Sequence, residues 1–305
     1  MKTHVSISAG ALKKSGFIPA LSALFCCIAF SLNAQTFSYY ENLSNFGLLD
    51  QNNPLVSPAG VGPTACAPTS VANSLVYLYN TYNVPNLLQS SPEESAYPTV
   101  NALISDMGTT TNGTSFQGEV SGTSTYLGAG GQNVTPPVSI ISGQSSGGLA
   151  GYNQIQNSLP TPMFLYNALL GNNAVDFGFA WYNSVNNTFT NGAHAVTLYG
   201  ITYNSTTQTG SLAFIDPFGT GGGGVVITNA TFQFFNAGTT NAFMFINGGY
   251  TGGGANNGND PDNTLRSSQA GLISDFVIAV PEPTTFALLG VGVFALGARR
   301  FLRRR

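Results

Sequence analysis

The stretch CAPTSVANSLVYLYNTY, residues 66–82, has the clearest helical pattern in this chain. Its larger apolar side chains recur at the spacing of one helical face: Val71, Leu75, Leu78, Tyr79 and Tyr82. Pro68 suits the first turn of a helix, and residues 83–85, which end in a proline, stop it. The sequence therefore predicts a helix that begins just after Cys66.

The elements on either side predict the fold class. Weaker helical patterns occur at Val100–Met107 and Tyr152–Leu159. Beyond them the sequence predicts strands separated by Gly/Asn turns: Met163–Leu165, Val175–Tyr182, Ala193–Tyr203, Ser211–Ile215, Val225–Thr228 and Ala242–Ile246. Helices followed by strands indicate an α+β domain. The Gly/Ser/Thr-rich region 108–148 fits a lid, an inserted β region or a mobile surface.

The first 34 residues have the pattern of a secretory signal peptide. Three lysines (Lys2, Lys13 and Lys14) lead into an apolar run from Phe17 to Leu32. The small residues that end at Ala34 approximate a cleavage site, so we expect signal peptidase to cut after Ala34. The alternative is an uncleaved N-terminal anchor.

The C-terminus carries a second targeting pattern. Pro281-Glu282-Pro283 precedes an apolar run, residues 284–298, and five arginines lie at the extreme end: Arg299, Arg300, Arg303, Arg304 and Arg305. Fifteen helical residues reach about 22 Å, short of the ~30 Å hydrocarbon core, so this segment can hold the chain in a membrane only marginally. The arginines favour a cytoplasmic end. A plain membrane anchor is the alternative to a sorting signal.

The body between these tails, residues 35–279, is about 245 residues long, enough for one sizeable core. Its one basic residue, Arg266, stands against eleven acids, a net charge of about −10. Contacts to phosphates need Lys and Arg, so nucleic acid is excluded as a partner. Residues 248–263 are Gly/Asn-rich and indicate a linker, and Leu272–Ala279 indicates a last edge strand or a stalk.

The body contains one cysteine, Cys66, and one histidine, His194, because Cys26, Cys27 and His4 belong to the signal peptide. No disulfide can form within it, and a zinc site with four Cys/His ligands is impossible. We expect neither a metal nor a cofactor.

The single cysteine and the single histidine have the arrangement that nucleophilic catalysis needs. A thiolate in the first turn of a helix is stabilised by the helix N-terminus, which lowers the cysteine pKa. His194 lies in a predicted strand, and Asp216 ends the next strand, where its carboxylate can fix the imidazole tautomer.

The same residues resemble a known family. Cys66-Ala67-Pro68-Thr69-Ser70 resembles the Cys-Gly-Pro-Thr-Ser motif of C39-like, papain-fold cysteine peptidases, His194-Ala195-Val196 resembles their histidine strand, and Asp216-Pro217 resembles their aspartate turn. The C-terminal tail resembles the PEP-CTERM signal that exosortases process. The first resemblance covers residues 51–219 and the second about 25 residues.

The first resemblance implies a papain-like fold, with the cysteine helix packed on an antiparallel sheet that carries the histidine and the aspartate. It makes Cys66 the nucleophile, His194 the general base and acid, and Asp216 the orienting residue. Gln51, the only glutamine between Gln35 and Cys66, is the candidate oxyanion donor. The chain departs from the family at Ala67, where a glycine is usual, and at Thr64-Ala65, where a more open turn is common.

The domain organisation predicted is a signal peptide (1–34), a C39-like peptidase domain (35–248), a linker with a possible edge strand (249–279) and a PEP-CTERM signal with a membrane helix (280–305). The predicted function is an exported, surface-anchored peptidase that hydrolyses peptide or protein substrates through a Cys66 thioester. Two alternatives stay open: an acyl transferase with the same triad, and a non-catalytic matrix or adhesion protein.

Overall fold

The computed structural model of this protein describes residues 35–90, 96–128, 132, 134, 138–144, 161–183, 188–219, 223–239, 242–249 and 271–281. These residues form four α-helices: α1 (Cys66–Tyr82), α2 (Tyr97–Met107), α3 (Phe116–Leu127) and α4 (Pro162–Leu170). They also form eight strands: β1 (Thr36–Tyr40), β2 (Val138–Gln144), β3 (Ala174–Asn183), β4 (Thr188–Asn204), β5 (Thr209–Asp216), β6 (Val225–Phe235), β7 (Phe243–Gly248) and β8 (Gly271–Pro281).

The strands form one antiparallel sheet. Its order is β1-β4-β3-β8-β7-β6-β5, and β4 also pairs with β5, so six of the strands, from β4 round to β5, form a closed ring of pairings. β1 pairs with the end of β4, and β2 pairs with β8. Helices packed on an antiparallel sheet confirm the predicted α+β class.

Helix α1 lies at the centre of the molecule. The sequence pattern predicts one apolar face, yet every residue from Ala67 to Leu78 is buried. The helix is covered by α2 and α3 on one side and by β3 and β4 on the other. Asn83 ends it in the left-handed conformation (φ 51°), with its N–H bonded to the carbonyl of Tyr79. A fully buried leucine contributes roughly 1.5–3 kcal/mol, so Leu75 and Leu78 alone fix this helix firmly in place.

The sheet separates two apolar cores. One core joins α1, α2 and α3 to the sheet face that carries Ala195, Tyr199 and Ile215. The other lies on the opposite face, where Val196 and Leu198 pack with phenylalanines of β3 and β5 and with α4. Alternate residues of β4 therefore serve different cores, as the period-2 alternation of a strand requires.

A buried polar cluster joins α1 to the sheet. Asp176 of β3 is paired in register with Thr197 of β4. The Ser70 hydroxyl donates to Asp176 Oδ1 over 2.6 Å and lies 3.0 Å from Thr197 Oγ1, which itself donates to the Ser70 carbonyl over 2.8 Å. Burial raises the pKa of Asp176 to about 6, although hydrogen bonds from Ser70, Ser74 and Thr197 act in the opposite direction.

Most of the predicted elements are present, and one has the wrong type. The predicted strand Met163–Leu165 is part of helix α4. Thr161 caps that helix by accepting a hydrogen bond from the Phe164 N–H over 3.1 Å, and Pro162 occupies its first turn. This capping pattern outweighs the β-like composition of the segment.

The last predicted strand exists, but it does not lie at the sheet edge. β8 pairs with β2, β3 and β7, so it lies inside the sheet. Region 108–148, for which the sequence leaves several structures open, contains helix α3 and strand β2, and strand β1 has no counterpart in the prediction. The signal peptide, the predicted helix Tyr152–Leu159, nearly all of the linker and the C-terminal tail after Pro281 lie outside the described residues.

We predict that Asp176→Asn changes how stability depends on pH. The folded-state pKa of Asp176, about 6, exceeds that of an unfolded aspartate, so the folded protein holds this proton more tightly and loses stability as the pH rises through 4 to 6. The substituted asparagine carries no charge, and the surrounding hydroxyls can donate or accept. Between pH 5 and pH 8 the variant should gain about 1 kcal/mol of unfolding free energy relative to the parent, measured by urea titration.

Asp106→Asn on α2 is the matched control. It removes the same charge from a carboxyl that is only partly buried, so its gain over the same pH range should be smaller. Parallel stability profiles for the parent and both variants would contradict the prediction.

Candidate active site

Cys66 is the first residue of α1 and is partly exposed. Residues Gly62–Thr64 form a 3₁₀ turn before it, and no side chain caps the helix at Ala65. The thiol therefore lies at a helix N-terminus, where a negative charge is stabilised. Backbone N–H groups of Ala67 and Ala195 also form hydrogen bonds with the sulfur.

His194 is held rigidly on β4. Its ring packs edge-on against Phe179, its partner residue on β3, with ring centroids 5.7 Å apart, and only 8 % of the residue is exposed. Nε2 lies 2.7 Å from Asp216 Oδ1. An ionised carboxylate only accepts, so Nε2 carries the proton of this bond and Nδ1 remains for Cys66, to which the imidazole is also hydrogen-bonded.

Asp216 is the last residue of β5 and is fully buried. The register Thr197↔Ile215 places the end of β5, and with it Asp216, beside the part of β4 that carries His194. Asp216 Oδ1 also accepts the Phe218 N–H over 2.8 Å, which fixes the carboxylate in its orientation. The structure thus brings together Cys66, His194 and Asp216, which span 150 residues along the chain.

The pKa values of Cys66 and His194 are shifted in opposite directions. Burial raises the pKa of the Cys66 thiol, but the His194 imidazole and the backbone N–H groups outweigh it, so the pKa lies below its usual value. Burial lowers the pKa of His194, but the Asp216 carboxylate and Cys66 outweigh it, so that pKa lies above its usual value. Both shifts act in the direction of a thiolate beside an imidazolium.

Gln51 is buried, and it is hydrogen-bonded both to the segment before Cys66 and to the segment after Asp216. Its Nε2 donates to the Pro63 carbonyl, three residues before Cys66, over 2.8 Å, and its backbone N–H donates to the Pro217 carbonyl over 2.8 Å. Because a carbonyl can only accept, the first bond fixes which end of the amide is nitrogen. The second Nε2 hydrogen and the buried Oε1 have no partner among the described residues.

The two departures from the family motif have structural counterparts. Ala67 is buried within α1, where its methyl group belongs to the apolar core. The Thr64 hydroxyl lies 2.9 Å from the Val61 carbonyl and 2.7 Å from the Thr110 carbonyl, and donating its one hydrogen to the closer of these ties the turn before Cys66 to the loop after α2. Neither residue displaces Cys66 from His194.

Sequence reasoning missed three groups that shape the site. Asp50, immediately before Gln51, is fully buried, and Asp176 anchors the cysteine helix. The sequence signal for Asp176 was available, because it is a single acid inside the apolar strand AVDFGFAWY. The Ala195 N–H that meets the sulfur is a backbone group, so no residue type could reveal it.

Comparison with known proteins identifies the C-terminal tail. A model described as the PEP-CTERM protein-sorting motif matches residues 279–305. No curated protein matches the chain. The chain therefore ends in a PEP-CTERM signal, as predicted, which marks an exported protein that an exosortase sorts toward the cell surface or the extracellular space.

Two features are absent from the part of the chain that the structure describes. None of its helices combines the length and the apolar character needed to cross a bilayer. None of its His, Cys, Asp and Glu side chains form a group of three or more suited to a metal ion.

We predict that Cys66 reacts as an activated thiol. With the Cys66 pKa lowered and the His194 pKa raised, the rate at which iodoacetamide alkylates Cys66 should rise less steeply with pH than the rate of an ordinary thiol. An ordinary thiol is about 1 % ionised at pH 6.5, so the parent should react about ten-fold or more faster than His194→Ala at that pH. Rates are followed by intact mass from pH 5 to 9.

Thr202→Ala, on the same strand beyond the site, is the control and should keep the parent profile. A parent rate that rises with pH like that of a free thiol, and that His194→Ala leaves unchanged, would contradict the prediction.

Proposed function

We propose that this exported protein is a papain-like cysteine peptidase. The observation that carries the proposal is the continuous hydrogen-bonded chain from Cys66 through His194 to Asp216. A nucleophile, a base in contact with it and a carboxylate behind the base are the groups that acyl transfer requires. Their order along the chain, and a cysteine helix packed on the sheet that carries the other two, support a papain-like fold.

Each residue has a role in the proposed reaction. The Cys66 thiolate attacks the carbonyl carbon of a peptide bond, and the electron pair moves to the carbonyl oxygen, where the Gln51 Nε2–H stabilises it. The imidazolium of His194 then gives its proton to the leaving amine, and a Cys66 thioester remains. His194 next takes a proton from water, whose oxygen attacks the thioester and releases the acid. Asp216 holds the imidazole in the required tautomer throughout.

The domain boundaries follow from the same reasoning. We propose that the catalytic domain begins after the signal peptide, at residue 35, and that strand β8 belongs to it, because β8 pairs with three strands of the sheet. The sorting signal would then display this domain at the cell surface, where peptides or proteins outside the cell are its substrates.

The decisive experiment looks for cleavage products and for the acyl-enzyme. The purified protein and its Cys66→Ala variant are incubated with a complex peptide mixture, and new peptide ends are identified by mass spectrometry. We expect new ends that require Cys66, together with a Cys66 adduct after rapid acid quenching. Added glycinamide distinguishes the alternatives, since an acyl transferase would pass most of the acyl group to this amine at concentrations at which a peptidase still passes most of it to water.

New ends that are equally abundant with Cys66→Ala, or no new ends and no adduct, would overturn the proposal. The second of these outcomes is the one that a non-catalytic matrix or adhesion protein gives.

A separate prediction concerns Gln51. Removal of an oxyanion donor lowers turnover by about 10²- to 10³-fold, so Gln51→Ala should lose activity on this scale. Alkylation by iodoacetamide forms no oxyanion and should stay near the parent rate. The matched control is Gln233→Ala on β6, another glutamine whose amide donates to a backbone carbonyl, that of Thr207, over 3.3 Å. Equal losses of turnover and alkylation would assign Gln51 a purely structural role.

A further inference from the structure

Asp50 is a fully buried carboxylate with no role in the proposed reaction. Its Oδ1 accepts two backbone N–H groups, that of Asn52 over 2.8 Å and that of Gly219 over 3.1 Å. Bonds from N–H groups to an ionised carboxylate are about twice as strong as neutral ones, and they offset the cost of burying the charge. One of these donors is local, and the other lies in the turn that follows Asp216.

Two further hydrogen bonds join the same two segments. The Gln51 N–H donates to the Pro217 carbonyl over 2.8 Å, and the Asn52 side chain donates from Nδ2 to the Gly219 carbonyl over 3.2 Å. Residues 50–52 and residues 217–219 are therefore fastened to each other at three consecutive positions. Gln51, the candidate oxyanion donor, is in the middle of this contact.

Gly219 shows how closely the segments approach. A side-chain carbon at this position would collide with the Gly223 carbonyl and would lie 2.8 Å from Asp50 Oδ2. The turn thus has no room for a larger residue, and the Asp50 carboxylate fills the space against it. The turn is itself fixed, because it continues β5 and contains the Phe218 N–H that bonds to Asp216.

We propose that Asp50 is a positioning residue that fixes the backbone of Gln51 to the turn after Asp216, so that the residue carrying the oxyanion donor and the orienting carboxylate have one common support. The proposal rests on the proposed function. Asp50 acts mainly through Gln51, because Asp216 keeps the bond from the Phe218 N–H and its place at the end of β5, while Cys66 and His194 are held by α1 and β4. Its loss should therefore impair the step that forms an oxyanion and spare the ionisation of the thiol.

The experiment compares two small reagents that use Cys66 differently. In acylation by p-nitrophenyl acetate, the thiolate adds to the ester carbonyl, an oxyanion forms, and p-nitrophenolate leaves as the carbonyl re-forms. In alkylation by iodoacetamide, the thiolate displaces iodide and no oxyanion forms. The ratio of the two rates reports the positioning of Gln51, because any reactive thiol gives both rates.

Asp50→Ala should lower the acylation rate about ten-fold and leave the alkylation rate within about two-fold of the parent. Asp50→Asn retains an acceptor oxygen and should restore most of the acylation rate. Asn52→Ala removes only one of the three fastenings, so it should show a smaller loss of the same kind even if Asp50→Ala fails to fold. Asn53→Ala is the matched control, because its side chain accepts the Leu55 N–H in the same loop without contacting residues 217–219.

Two results would overturn the proposal and leave the proposed function intact: an Asp50→Ala variant in which both rates fall together, and one in which neither changes, while His194→Ala still slows alkylation. If His194→Ala leaves alkylation unchanged, the proposed function itself fails and this inference fails with it.

Discussion

The burial of α1 sets the positions of the elements packed around it. A surface helix can shift on its core by a fraction of a turn, whereas a helix buried on every side from Ala67 to Leu78 has one position in a close-packed interior. Its first residue, Cys66, is then fixed relative to β4, and the Ser70, Asp176 and Thr197 cluster fixes its rotation and its height. The contact between Cys66 and His194 is thus a consequence of the core.

The parts of the fold that could be predicted are those with a local signal. Helix α1, the strands β3 to β7 and the order Cys66, His194, Asp216 are all visible in spacing and residue type. The interior position of β8 could not be predicted. Its partners lie between residues 138 and 248, and no local pattern records which strands become neighbours. The strand predicted at residue 163 failed because the capping by Thr161 determines that segment more strongly than its composition.

The candidate site also contains residues with a local sequence signal and residues without one. Cys66 and His194 stand out because each is the only residue of its kind in the body. Asp50 is one acid among eleven, and only the approach of residues 217–219 makes it special. Gln51 could be selected from its place before the cysteine. The Pro63 carbonyl that accepts from its side-chain amide and the Pro217 carbonyl that accepts from its backbone N–H are 154 residues apart in sequence, so no local pattern shows them.

The scarcity of cations explains how the buried acids are stabilised. No lysine or arginine occurs among the described residues, so none of these residues offers a buried carboxylate a permanently charged partner. Asp50 accepts backbone N–H groups, and Asp176 lies among hydroxyls with a raised pKa. Asp216 differs from both, because its partner His194 can carry a charge. Among the described residues, His194 is the one buried group whose positive charge is stabilised. It lies beside Cys66, and its charge in turn stabilises the thiolate.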